Sequence, residues 1–445
     1  MPSYIKLLDR RLYPLSALHF FLGIIISSRS DIATIWGLAI FFYGFLHIVR
    51  YRNRNDEASI FASYLVGLEV ALRAVGATVL WEYGKYSTIF LLFTGMVVEN
   101  LKFLRINVLS LTYFICLLPS MALMPDVPFK YLRQMISGNL SGPLCLFISF
   151  IYFRQRLLNY NNITNIFKCL SLPIITLIGL ILVRAPAIEN IAFSSEANFQ
   201  LSAGFGPNQV STVLGLPLVI VALSKVFNLK LYSIPIFDYL FVAVSTGLAI
   251  LTFARGGVIA PVCILVFLFI ISGPIKRYKL NYKQIFYLLL VLVGLYNFSS
   301  NFTKGLLDQR YLNLASIVNP DKGTISGRAK IMALDLAIFR DHPLMGVGPG
   351  AAHDLRWRYG YGYTVAAHSE FTRMLAEHGL FGAISLISIL LLSFLEYKKR
   401  VGYNRVFLAC MSMLAILTMF HSAFRIALPG FIYGLSYVIL KVPNR

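Results

Sequence analysis

The sequence predicts an all-α fold: a polytopic transmembrane helix bundle of about 12–14 spans that carries one large periplasmic helical loop. Three observations lead there. The 445 residues are 58% hydrophobic and only 13% charged, whereas soluble domains run near 25% charged. Mean hydropathy is +0.71. The apolar residues gather into runs at roughly 14–28, 32–49, 59–80, 86–98, 107–123, 139–153, 168–183, 207–224, 233–253, 256–273, 284–298, 379–396, 404–420 and 423–440. Several fall short of the roughly 20 residues that a helical crossing needs.

The basic residues fix which way the bundle faces. A net charge of +21 invites a nucleic-acid reading, but the 40 Lys and Arg residues are not clustered as such a surface requires. With the N-terminus in the cytoplasm and the runs alternating, the inside segments carry 23 of them and the short outside segments only 7. That asymmetry is the positive-inside pattern. Anionic membrane lipids are then the partner of the excess charge, and no nucleic acid is required. The chain divides into an N-terminal part of the bundle (1–298), a loop facing the periplasm (299–378) and C-terminal helices (379–445). No cleavable signal peptide is expected, because the first apolar run lacks a small-residue cleavage site and further spans follow it. Cys116, Cys145, Cys169, Cys263 and Cys410 all lie in apolar runs. They read as small core residues, with no disulfide framework and no cysteine zinc site.

Two outside segments are long. One is 184–206, which leads into Pro207-Asn208-Gln209 at the mouth of a span. The other is the 299–378 loop, where Arg, His and Gly concentrate. Residues 328–340 read as a helix capped by Ser326 or Thr324. Pro343 and the run Gly346, Gly348, Pro349, Gly350 then break it into turns. A second helix is expected to start near Ala367, pass through His368, Glu370, Arg373 and Glu377, and end at Gly379. Two helices about a glycine-rich turn make a small lid on the bundle.

Several side chains in these segments suit the chemistry of an anionic substrate. Arg255 sits between two spans, followed by Gly256-Gly257. Read blandly it is an interface anchor; read functionally, it is a guanidinium that clamps a phosphate, with glycines allowing close approach. Arg328 opens a helix, where free amides and the dipole favour an anion. Arg340, Arg356 and Arg358 read more readily as loop surface or headgroup contacts. His368 is the best candidate base, since an imidazole titrates near neutrality and accepts a proton from a hydroxyl. His342, His353, His368 and His378 share the loop region, yet their spacing matches no metal-ligand motif. Glu69 and Arg73 lie four apart in the third span, either a site or a mutually neutralising pair. No P-loop, dinucleotide fingerprint, nucleophile elbow or zinc signature is present.

The run RAKIMALDLAIFRDHPLMGVGPG from Arg328, with HSEFTRMLAEHGLFG from His368, resembles the signature region of the bacterial O-antigen ligase and O-antigen polymerase superfamily. The stretches LTFARGG ending at Gly257 and GFGPNQV from Gly204 agree more weakly, in the same order. One departure is Ser369, where the family usually has Asn. The resemblance implies a metal-independent, inverting membrane glycosyltransferase without a cofactor. It would move a glycan from an undecaprenyl-pyrophosphate donor to an acceptor hydroxyl on the periplasmic side of the bacterial inner membrane. Pyrophosphate needs cations rather than a general acid as it leaves. Arg255 and Arg328 take that role, and His368 deprotonates the acceptor. Arg340, His342, Asn208 and Glu377 are the residues assigned to substrate binding. A ligase acting on lipid A–core is the preferred reading. A polymerase acting on lipid-linked repeat units is the alternative. A polysaccharide transporter or flippase is the third, with only Glu69 and Arg73 to supply polar groups at mid-membrane depth.

Overall fold

The computed structural model describes residues 11–77, 80, 82–100, 106–124, 127–187, 191, 193, 197–272, 282–312, 327–362 and 364–441. The chain is an all-α bundle, and each apolar run falls on a helix. The helices are α1 (Leu12–Ile26), α2 (Ser30–Tyr51), α3 (Glu57–Ala74), α4 (Tyr83–Val98), α5 (Val108–Ile115), α6 (Phe129–Phe153), α7 (Tyr160–Arg184), α8 (Pro207–Val226) and α9 (Pro235–Leu251). They continue as α10 (Gly256–Ser272), α11 (Tyr282–Phe302), α12 (Leu306–Leu312), α13 (Gly327–Asp341), α14 (Ala351–Arg356), α15 (Glu370–Lys399), α16 (Gly402–Ser422) and α17 (Leu428–Leu435). Among the described residues, seven of these are long and apolar enough to cross a membrane, and four shorter apolar helices accompany them. The multi-pass character follows.

Burial sorts the helices into a centre and a lipid-facing shell. The apolar window of α8 is 94% buried and that of α7 is 83% buried, against 22% for α2 and α11. Helix α3 packs along α7, and α8 sits between α9 and α10. Small residues let those backbones meet, as membrane packing favours. A Cβ at Gly257 on α10 would lie 2.3 Å from the Ser211 carbonyl carbon of α8, and one at Gly215 would lie 2.0 Å from the Gly257 oxygen. Pro143, Pro173, Pro217 and Pro261 stand inside α6, α7, α8 and α10, where neighbouring helices absorb the lost hydrogen bond.

Three expectations are corrected here. The apolar run 107–123 is broken: α5 ends at Ile115 and a 3₁₀ turn occupies Pro119–Leu123, because proline has no N–H and fixes the turn. The run 423–440 holds only the two-turn helix α17. The Phe424 amide donates to Glu370 (3.3 Å) and the Ala427 amide to Glu69 (2.6 Å), so helix cannot start earlier. The chain then ends its described part in a short strand, β2 (Ile439–Lys441), paired parallel with β1 (Leu157–Asn159) in the register Leu157 to Ile439. Cys263 is exposed on the shell rather than in the core.

The described part of 327–380 is built as the pattern of helix, glycine turns and helix implies. Helix α13 covers Gly327–Asp341; its proposed caps, Ser326 and Thr324, lie outside the described residues. Gly346, Gly348 and Gly350 all have positive φ. The turn they form is hydrogen-bonded onto α15: Val347 N donates to Ala376 O (3.1 Å), Gly348 N to Glu377 O (3.0 Å), and Leu380 N to Pro343 O (2.7 Å). Gly379 interrupts α15 with φ 60° and ψ −138°, a conformation that requires glycine. A buried Asp335 on α13 accepts from Arg356 Nε of α14 (2.7 Å) and from Thr372 Oγ1 of α15 (2.8 Å). The carboxylate thereby ties α13, α14 and α15 together over a small core of Ile338, Ala352 and Ala376.

Candidate active site

The segment before α15 is extended, not helical as expected from Ala367. Three carbonyls that a helix would use are taken by arginine side chains. Arg356 Nη1 donates to Val365 O (2.7 Å), and Arg425 Nη2 donates to Ala367 O (2.5 Å) and Ala366 O (3.4 Å). Ser369 is the N-cap, with φ −113° and ψ 130°, and its Oγ is buried without a hydrogen-bond partner among the described residues. His368 therefore stands on a stretched chain between the lid and the bundle. The neighbouring Glu370 is occupied: its carboxylate pairs with Arg373 and accepts the Phe424 amide.

Asn208 joins the bundle to the lid. Pro207 starts α8 with its φ preset, and Asn208 projects from that first turn. Its Oδ1 accepts from Arg328 Nη2 (2.5 Å), while its Nδ2 lies 3.4 Å from His368 Nδ1. With Oδ1 committed to Arg328, the NH₂ end faces the imidazole. Nδ1 is then the accepting nitrogen and the neutral ring carries its proton on Nε2. The contact is long, so a better donor can displace it.

The surroundings are strongly cationic. Burial and the charges of Arg425, Arg328 and Arg356 push the His368 pKa down to about 3. Burial and the charges of Arg310, Arg255 and Arg425 push Arg328 down to about 10, and burial with Arg356 nearby does the same to Arg425. Crowded guanidiniums repel one another unless an anion sits among them. Arg255 follows the left-handed Phe253 (φ 57°), and its carbonyl accepts the Val258 and Ile259 amides at the start of α10. Its Nη1 is buried without a hydrogen-bond partner among the described residues. The two glycines after it make room for protein rather than ligand: Gly257 meets Ser211, and a Cβ at Gly256 would lie 2.2 Å from the His421 ring. His421 in turn bonds Thr212 of α8 through Nε2 (2.9 Å).

Beside this cluster lies a cavity of about 720 Å³ bordered by Gln209, Asn139, Arg356, Glu370, Arg373 and Arg425, with Glu377 also in its wall. Glu377 is already bonded to Arg373 (2.5 Å). Glu69 and Arg73 form a buried pair at 2.8 Å that extends to Glu82 and Lys85, and Arg73, Glu82 and Lys85 line the same cavity. Of the residues expected at the site, the structure gathers His368, Arg328, Asn208 and Arg255 about one locus and places Glu377 in the cavity wall. Arg340 stays outside, 81% exposed and beside Asp341, and His342 is exposed on the outer surface of the lid. The histidines do not converge: His353 pairs with Asp354, and His378 is buried against Ser120. No group of three or more potential metal ligands occurs among the described residues. Sequence reading missed Arg425, Gln209 and Asn139. Arg425 carried the same signal as Arg255, an arginine confined to a short link between two spans.

Residues 240–387 match the family model described as O-antigen ligase. This part of the chain is similar to an O-antigen ligase domain, which supports the O-antigen ligase and polymerase superfamily that the loop motifs resemble. The O-antigen ligase match includes Arg255, Arg328 and His368; Asn208, Gln209 and Arg425 lie outside its bounds. No curated protein matches the chain.

Proposed function

We propose that the protein is an inverting glycosyltransferase of the inner membrane, acting at its periplasmic face on an undecaprenyl-pyrophosphate-linked glycan. The observation that carries this is the tie through Asn208 between one arginine of a cationic cluster and the imidazole of His368. The diphosphate lies among Arg255, Arg328 and Arg425, where the mutual repulsion of the guanidiniums becomes attraction for the anion. The polyprenyl tail runs along the apolar bundle. The acceptor hydroxyl approaches His368 Nδ1 from the cavity side and displaces the weak Asn208 contact. Its oxygen bonds to the anomeric carbon as the bond from that carbon to the phosphate oxygen breaks. The proton goes to Nδ1, and undecaprenyl pyrophosphate departs with its new charge held by the arginines. Attack opposite the leaving group inverts the anomeric centre. Donor binding also prepares the base, because an anion between the arginines and the ring raises the basicity of the imidazole.

Ligase-type transfer to lipid A–core is the preferred activity. A polymerase must accommodate two lipid diphosphates at once, and the described residues form one arginine cluster beside a cavity whose arginines and lysine, Arg425 apart, are internally paired. The glycan profile of a deletion strain tests this. Accumulated lipid-linked polymer with bare core supports a ligase; core bearing a single repeat unit supports a polymerase. The clamp is tested in purified protein: Arg255→Ala and Arg328→Ala should each lower the rate roughly 10²–10³-fold. Arg255→Lys should recover only part of it, since an ammonium lacks the guanidinium fork. Full activity in either alanine variant removes that residue from the mechanism.

A further inference from the structure

The cavity has a second half whose electrostatics differ from those of the arginine cluster. Apart from Arg425, which also borders the cavity and belongs to the arginine cluster, the arginine and lysine side chains on those walls are paired inside the protein. Arg73 bonds Glu69 at 2.8 Å and Glu82 at 3.1 Å, and Lys85 bonds Glu82 at 2.6 Å. Arg373 holds Glu370 and Glu377, and Arg356 holds Asp335 at 2.7 Å. Such walls have no excess charge with which to attract an anion, yet they present carboxylate, amide and guanidinium groups at high density. That is a surface for a neutral molecule with many hydroxyls.

Gln209 adds a directed contact. It is 8% exposed and lines this cavity, and its Oε1 is buried with no hydrogen-bond partner among the described residues. An orphaned acceptor at that depth is costly unless something donates to it. Asn208 and Gln209 are consecutive in the first turn of α8, so their side chains diverge by about 100°. Asn208 reaches Arg328 and His368, and Gln209 faces the cavity. One turn of helix therefore addresses both sides of the reaction centre. We infer that this cavity is the acceptor subsite, that it takes a neutral rather than a phosphorylated or acidic sugar, and that Gln209 Oε1 accepts a hydrogen bond from one of its hydroxyls. This rests on the donor reading above and adds the acceptor class to it.

The test uses the full-length protein in lipid nanodiscs with a short-chain prenyl-diphosphate donor. Methyl hexopyranosides serve as competing acceptors, each alongside its 6-phosphate. At least one neutral glycoside should compete, and its phosphorylated form should be tenfold weaker or worse. Gln209→Met keeps the volume and removes the acceptor oxygen. It should raise the inhibition constant of the neutral glycoside about 5- to 30-fold, the scale of one uncompensated hydrogen bond. Inhibition by inorganic pyrophosphate should be unchanged in that variant. Gln209→Glu keeps an accepting oxygen and should recover most of the glycoside affinity. The proposal is overturned if no neutral glycoside competes, if the phosphorylated forms bind equally well, or if Gln209→Met leaves glycoside affinity unaltered. Failure of the donor reading looks different: pyrophosphate would then not inhibit the wild type, or would inhibit Arg255→Ala equally, and the inference falls with it. The neutral-against-phosphate comparison is made on the wild type and does not depend on any variant folding.

Discussion

Replacing Asn208 with alanine should cripple turnover while leaving the bundle intact. The side chain makes two contacts that no neighbour duplicates, at 2.5 Å to Arg328 Nη2 and 3.4 Å to His368 Nδ1. The first is charge-assisted and its loss costs about 1.5–3 kcal/mol, or roughly 10- to 150-fold if expressed wholly in the transition state. The second is long and adds little. The Asn208 backbone oxygen, which accepts from Ser211 Oγ (3.1 Å) and Thr212 Oγ1 (2.6 Å), is unaffected by the change. Folding should therefore survive. In a transfer assay with saturating donor, kcat should fall by that factor at normal membrane abundance. Asn208→Asp gives the complementary error. Its carboxylate would pair with Arg328 inside the anion site, so donor KM should rise while the tether persists. Activity within twofold of wild type for Asn208→Ala would refute the coupling of Arg328 to His368.

His368→Ala should cost roughly 10²-fold or more in rate, and chelators should leave activity unchanged, with recovery by zinc or manganese after EDTA overturning that view. The acid limb of kcat/KM, which reports the free enzyme, should lie well below 6.5, since burial, with the arginines added to it, holds the His368 pKa at about 3; the limb of kcat should lie higher, because bound diphosphate offsets the arginine charges. A folded-state value below the unfolded one also means that the unfolded chain gains the proton as pH falls, so this group withdraws stability below about 6.5. Thermal unfolding in detergent at pH 7 and pH 5 should show the loss, and His368→Ala should lessen it. Gly257→Ala should destabilise the bundle by about 1–3 kcal/mol, the usual cost of overpacking, because the new methyl falls 2.3 Å from the Ser211 carbonyl carbon; a melting temperature unchanged in detergent would contradict the packing of α8 on α10. A single cysteine at Arg340, which is 81% exposed on α13, in a cysteine-free background should react with an impermeant maleimide in intact spheroplasts, and protection there would invert the topology.

The membrane helices were legible because burial in lipid imposes length and apolarity on each span, and the sequence cannot disguise either. The lid helix was legible too, since Pro343 and the glycines at 346, 348 and 350 leave α13 no way to continue. What escaped was set by groups distant in sequence. The extended conformation at His368 depends on Arg356 and Arg425 capturing its neighbours' carbonyls, and the shortness of α17 depends on Glu69 and Glu370 capturing amides. Arg340 and His342 stand close in sequence to the signature turn, yet helical rotation carries them to the outer surface. Gln209 lay in a stretch singled out at a span mouth but drew no role, for a simpler reason. A glutamine at a helix start has no signature until the cavity beside it is seen.

The hydrogen bonds that fix the 343–348 turn onto α15 bear on how such enzymes can be recombined. The lid is not a cassette that could be cut at its ends and exchanged. Val347, Gly348 and Leu380 lock it to the helix that re-enters the bundle, and the residues facing His368 come from the starts of α8 and α10 and from the link before α17. A chimaera that transplants 327–369 alone would bring His368 and Arg328 without Asn208, Arg255 or Arg425, and only part of the cavity wall. The smallest exchangeable unit is discontinuous: the lid with the first turns of α15, together with the three corners of the bundle beneath it. Grafting experiments that respect those seams should move acceptor preference between relatives, whereas ones that follow the apolar runs should yield well-inserted, silent proteins.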